Sequence, residues 1–150
     1  MIKPRKSLLE VDAMADIVRR CEYYYTSIPN QVGAGAKILN ALKEEAISLV
    51  AFNGFPRGLR HAQLDFVATD RDAFLTAAKK VGIKLVGPRV ALLIQGEDRT
   101  GAVADVLSKL EQARINITAI QALASGERRY GAILWVKPRD IDKAAQALGV

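Results

Sequence analysis

QGEDRTGAVADVLSKLEQARINI, from Gln95 to Ile117, has a near-copy upstream in SIPNQVGAGAKILNALKEEAISL, from Ser27 to Leu49. Laid on one another, the two place Gly33 under Gly101, 68 positions apart. At the same offset Ala34 meets Ala102, Leu39 meets Leu107, Leu42 meets Leu110, Ile47 meets Ile115, Gly58 meets Gly126 and Arg60 meets Arg128. The register holds without a gap to the pairs Arg71-Asp72 and Arg139-Asp140. Apolar positions, glycines and charges kept in step for so long mark an internal duplication.

Each copy reads as strand, helix, hairpin, helix. In the first, Glu22 to Ile28 is aromatic and β-branched and stops at Pro29-Asn30, which predicts a strand. Ala34, Ile38, Leu42 and Ala46 form one stripe of an amphipathic helix over Gly33 to Glu45. Ser48 to Phe55 and Leu59 to Thr69 flank the turn-rich NGFPRG as a hairpin, and Asp70 to Lys80 is a second helix stopped by Gly82. Ile83 to Val86 makes a brief fourth strand before Gly87-Pro88 breaks the chain. The second copy repeats this with Val90 to Gln95, Gly101 to Ala113, Ile115 to Leu123, Tyr130 to Lys137 and Arg139 to Leu148, where the chain ends without a fourth strand. The fold class is α+β: two ferredoxin-like β-α-β-β-α-β units in tandem, with antiparallel sheets and helices on one face.

The expected division is residues 1–21 as an N-terminal segment, 22–87 as the first unit and 88–150 as the second. In the N-terminal segment Leu8, Leu9, Val11, Met14, Ile17 and Val18 suit a helix or an added strand. The edge of Val90 to Gln95 is left bare, and either that segment or another chain would cover it. On Leu59 to Thr69 the residues Leu64 and Phe66 point one way and His61, Gln63 and Asp65 the other, a half-buried pattern. In the second copy Ile133 and Trp135 make the other face apolar as well, so a partner, most economically a second copy, is expected there, with Trp135 as an interface anchor.

Composition bounds the function. The chain has 150 residues, half of them apolar, a net charge of +6 and no apolar run approaching the ~20 residues of a membrane helix. The single cysteine, Cys21, excludes an intrachain disulfide framework and fits a reducing, cytoplasmic setting. One histidine, His61, and one cysteine leave too few ligands for a zinc site, so no metal is expected. Gly33 to Lys37 lacks the spacing of a phosphate-binding loop, and Glu44-Glu45 sit side by side on a helix rather than converging on a substrate. No enzyme activity and no cofactor are expected.

A strand ending in a short polar loop, a glycine at the helix entry and an Ile-Asn-Ile strand resemble the ACT domain, a small ligand-binding regulatory module. The loops are Pro29-Asn30-Gln31-Val32-Gly33 and Glu97-Asp98-Arg99-Thr100-Gly101, with Ile115-Asn116-Ile117 following in the second copy. Val32 and Thr100 stand where the family usually has proline, Ala46 and Arg114 where glycine often ends the helix, and Ser48 where asparagine opens the second strand. The resemblance implies an amino acid or similar small carboxylate bound at the loops, by Asn30, Gln31, Val32, Gly33 and Ser48 in one copy and Asp98, Arg99, Thr100, Gly101 and Asn116 in the other. Asn30 and Asp98 would meet an ammonium or orient the loop. The competing reading is that Asn30, Asp98 and Thr100 cap their helices. The resemblance further implies a homodimer and a separate regulated protein as partners.

Two alternatives stay open. RNA recognition motifs share the element order, and Arg129 to Val136 loosely echoes their third strand. That face offers Gly131, Ile133 and Trp135 rather than paired aromatics, which disfavours nucleic acid. A ligand-free assembly adaptor is the other.

Overall fold

The structure, a computed structural model, describes residues 16–150. The described chain divides into two compact units, residues 22–89 and residues 90–150 together with residues 16–21. Among the described residues there are six strands and four α-helices, and no helix is long and apolar enough to cross a membrane. The helix option at Leu8 to Met14 lies outside the described residues; Ile17 and Val18 belong to a strand.

The first unit is built from β1 (Ile17–Pro29), α1 (Ala34–Glu44), β2 (Leu49–Arg57), β3 (His61–Ala68), α2 (Arg71–Val81) and the start of β4 (Val86–Glu97). Its strand order is β2-β3-β1-β4, with β3 antiparallel to both β1 and β2. Register puts Phe52 and Tyr24 on either side of Phe66, and these rings face the helices. Leu42 from α1 and Phe74 and Ala78 from α2 close the core over Tyr24, Ile28, Leu64 and Phe66. The Phe66 and Phe74 ring centroids lie 5.4 Å apart, a tilted pair that adds to simple burial.

The second unit comprises the rest of β4, α3 (Ala102–Gln112), β5 (Ile117–Gly126), β6 (Arg129–Val136), a short 3-10 turn (Pro138–Asp140) and α4 (Ile141–Ala147). Its order is β1-β4-β6-β5, so the start of β1 stands beside β4 as the start of β4 stands beside β1 in the first unit. Of the two covers expected for that edge, the N-terminal segment is the one observed. The Ala91 N–H meets the Cys21 thiol there, and burial pushes that thiol up to about 11. A thiol so raised stays protonated and unreactive at neutral pH. The core is aliphatic: Leu92, Ile94, Val106, Leu110, Leu134 and Val136.

Three expectations need correction. The chain does not break at Gly87-Pro88; β4 runs through it. At Gly87 an added Cβ would lie 2.9 Å from the Tyr23 carbonyl oxygen, so glycine permits close approach to β1. Pro88 is tolerated because β6 pairs only with Leu92 to Glu97 of β4. Asp65 is not on a solvated polar face but is 5% exposed, and burial raises its pKa despite hydrogen bonds from Gln63 and Asn53. Likewise Ala91, Leu93 and Trp135 are all buried in the single chain, so no second copy is needed to cover Trp135.

Both first helices end in the same turn without glycine. Ala46 and Arg114 take φ of 58° and 57°, the left-handed region where a Cβ is strained. The paired bonds Ile47 N–H to Leu42 O (3.0 Å) and Ile115 N–H to Leu110 O (2.9 Å) hold that conformation in place.

Candidate functional site

Each copy turns from strand to helix through a glycine with positive φ, 87° at Gly33 and 79° at Gly101. Nothing lies within 4 Å of a Cβ built on either, so the requirement is conformational rather than spatial. The loops are pinned to the hairpin tips in the same way. Asn30 N–H donates to Arg60 O at 2.9 Å, and Asp98 N–H to Arg128 O at 2.7 Å. The N-cap positions are held by Gly33 and Gly101, which have no side chain to cap with, and not by Asn30, Asp98 or Thr100. The first amide of each helix turns back into its loop, Ala34 N–H donating to Gln31 O and Ala102 N–H to Arg99 O, both at 3.2 Å; the next amides of the first turn, with the positive end of the helix dipole, are the ones left for an anion.

Beyond the backbone the loops differ. Asp98, Arg99 and Gly101 open on a cavity of about 300 Å³ completed by Ala102 to Ala104 of α3, Ala122 to Ala124 of β5, and Tyr130. One wall is thus a helix N-terminus, one an acidic loop and one an apolar edge strand. In the first copy Val32 projects fully into solvent, and Gly54, Phe55, Pro56 and Ala62 stand at the positions of Ala122, Leu123, Ala124 and Tyr130.

Arg99 is committed within the chain. Its Nη1 donates to Asp16 Oδ1 at 3.2 Å and to Glu97 O at 3.3 Å, and its Nη2 to Asp105 Oδ2 at 3.1 Å. These carboxylates raise the pKa of its guanidinium further. The Asp16 side chain, 10% exposed, lies over Gly96, where an added Cβ would overlap Oδ1 and come within 2.7 Å of the Tyr130 ring. The Tyr130 hydroxyl is buried beside the Asp16 carboxylate and the Arg99 guanidinium without a well-formed hydrogen bond to either. Burial first, and the Asp16 carboxylate second, push it up to about 12.

Asp98, Arg99 and Gly101 are therefore brought together, while Thr100 is exposed and outside the cavity wall. Asn116 and Ser48 are at the wrong pole. Each follows an 11-residue helix that starts at its loop, so about 16 Å of helix separates them from it within one chain. Asn30, Gln31, Val32 and Gly33 form the first loop, all exposed. The sequence reading missed Asp16, Gly96, Asp105 and Tyr130. The repeat itself carried a signal: Gly96 aligns with Ile28, Asp105 with Lys37 and Tyr130 with Ala62, large changes in size or charge inside an otherwise matched register.

The ACT domain family model matches residues 90–149. No curated protein matches the sequence. Among solved structures, protein BT0572 of Bacteroides thetaiotaomicron superposes with a TM-score of 0.75 at 18% identity, over 87% of this chain and 88% of that one. The ligand-free regulatory subunit of aspartate kinase from Thermus thermophilus gives 0.60 at 21% identity, over 91% and 96%. Aspartokinase III of E. coli in complex with lysine and aspartate gives 0.52 at 17% identity, over 91% of this chain and 32% of that one. At such identities what is shared is the fold. The loop and strand motifs of the second copy thus lie within the stretch that the ACT domain family model matches, residues 90–149, in a chain whose fold is similar to that of the regulatory subunit of aspartate kinase.

Proposed function

We propose that the chain is a tandem of two ACT-like units, residues 22–87 and 88–150 after an N-terminal segment 1–21, acting as a non-enzymatic sensor for an amino acid or similar small carboxylate. The observation that carries this reading is the second-copy cleft: a helix N-terminus for a carboxylate, Asp98 for an ammonium, and Val103 with Ala122 to Ala124 for an apolar remainder. A solved structure of the same fold, aspartokinase III of E. coli, holds lysine and aspartate, which fits an amino-acid ligand.

The reading includes a homodimer. Edge strand β5 has no charged residue over Ile117–Gly126 and leaves Leu123 72% exposed. Such an edge is a template for another strand. Antiparallel pairing of β5 with its copy would bring the start of one strand against the end of the other, so Asn116 of a second copy would reach the cleft that it cannot reach within its own chain.

A thermal-shift screen against the twenty amino acids and common nucleotides, at low and moderate salt, tests the ligand. A ligand at about a hundred times its dissociation constant adds roughly 2.7 kcal/mol. The expected result is a salt-tolerant hit with one amino acid, weakened tenfold or more by Asp98→Ala and unaffected by Asn30→Ala. Silence across amino acids with salt-sensitive RNA binding would overturn the reading.

A further inference from the structure

Arg99 joins three elements at the cleft. Asp16 stands immediately ahead of β1, Glu97 ends β4, and Asp105 lies in the first turn of α3. Exposed ion pairs contribute little, but this one is forked, charge-assisted on both arms and closed over a nearly buried carboxylate. Its seat is shaped for it. Gly96 leaves the strand backbone bare where Asp16 lies, and the Tyr130 ring closes the far side. The first copy has Ile28, Gln31, Lys37 and Ala62 at the equivalent positions, which cannot form the same contact.

From this geometry we infer that Arg99 is a positioning residue for the cleft, coupling the loop at Asp98 to Gly101 to the start of β1 through Asp16. Opening of the loop and opening of the strand are then linked, and by reciprocity each loosens when the other does. An occupant whose anionic group draws Arg99 away from Asp16 releases the first residues of β1, so the N-terminal strand reports the state of the cleft. This rests on the cleft being the ligand site. The coupling is nevertheless a property of the unliganded chain, so its failure and the failure of the ligand reading are distinguishable.

The experiment is amide hydrogen exchange on the full chain, unliganded, for the wild type, Asp16→Asn, Arg99→Gln, Arg99→Lys and Asp105→Asn. Expected is roughly tenfold faster exchange of the loop amides in Asp16→Asn, and a comparable acceleration at Val18 to Cys21 in Arg99→Gln. Arg99→Lys, which keeps a charge within reach of Asp16, restores part of the protection at Val18 to Cys21. Asp105→Asn speeds the loop but leaves Val18 to Cys21 at the wild-type rate. Amides of β3, in the other unit, do not change in any variant. The inference is overturned if Arg99→Gln loosens only its own loop, or if Asp105→Asn loosens the strand equally, since either result reduces the contact to local packing. Should Arg99→Gln fail to fold, the Asp16→Asn and Arg99→Lys pair decides the matter alone.

Discussion

The two strand-helix loops share a backbone and differ in what surrounds it. Both turn through a left-handed glycine, both are tied to a hairpin tip by one amide bond, and both precede an 11-residue helix. Around the second, a glycine replaces a buried isoleucine, an arginine replaces glutamine and a tyrosine replaces alanine. The result is a charged cluster beneath one loop and packed aliphatic side chains beneath the other. The two units keep the same strand-helix turn because backbone geometry and the apolar stripe determine it. The side chains around the loops differ without changing that turn.

The cores also differ, and the largest expected effect lies there. Phe66 and its equivalent Leu134 are both wholly buried, but only Phe66 stacks on further rings. Phe66→Ala should cost about 3–5 kcal/mol in urea unfolding. Phe66→Leu, which installs the residue of the second copy, should cost clearly less. Equal losses would mean that the ring contacts contribute nothing beyond volume.

Next in size is Gly96→Ala. The added methyl meets the Asp16 carboxylate and the Tyr130 ring at distances no Cβ tolerates, so strand or side chains must shift. Overpacking of this kind costs about 1–3 kcal/mol. An unchanged urea midpoint would show that Asp16 is free to leave, and the contrast between the loops would then be one of sequence only.

A smaller effect separates the second helices. Asp70 caps α2 by accepting from the Ala73 N–H at 3.0 Å, whereas Pro138 holds the equivalent position and the chain enters the seven-residue α4 through a 3-10 turn. Asp70→Ala should cost about 1 kcal/mol. A negligible loss would mean that packing of Phe74 and Ala78 suffices to hold α2.

Much of this was legible in the sequence because the relevant signals are local. Gly82 ends α2 as expected, with φ of 78°, and α1 and α3 lie within a residue of the ranges read from their apolar stripes. The ACT resemblance was legible from two short loops and Ile-Asn-Ile. What escaped depends on distant partners. Nothing in Gly87-Pro88 reveals that β1 runs alongside and needs a glycine opposite Tyr23. Asp65 reads as an outward strand residue until Asn53 and Gln63 are seen beside it. Asn116 was placed at the site by motif. Strand direction in a β-α-β unit puts it at the far end, and only the path of the chain shows this.

The finest test of the contrast is Tyr130→Phe. Its equivalent, Ala62, has no hydroxyl, and the Tyr130 hydroxyl is buried without a well-formed hydrogen bond. An unsatisfied buried donor is a burden, so removing it should leave stability unchanged or raise it by up to about 1 kcal/mol at pH 7. The alkaline limb gives a second reading. Burial holds the folded phenol protonated up to about 12, against an ordinary value near 10.0. Between these values the unfolded chain releases a proton that the folded chain keeps, so this group's contribution to stability falls as pH rises through that window. Phenylalanine cannot titrate, and the variant should lose less stability between pH 9 and 11 than the wild type, as urea midpoints across that range would record. A loss above about 1 kcal/mol at pH 7 would instead show that the hydroxyl bonds to Asp16 or Arg99 in solution. The tyrosine would then belong to the cluster that holds the loop, and the difference between the two copies would be larger than their static geometry indicates.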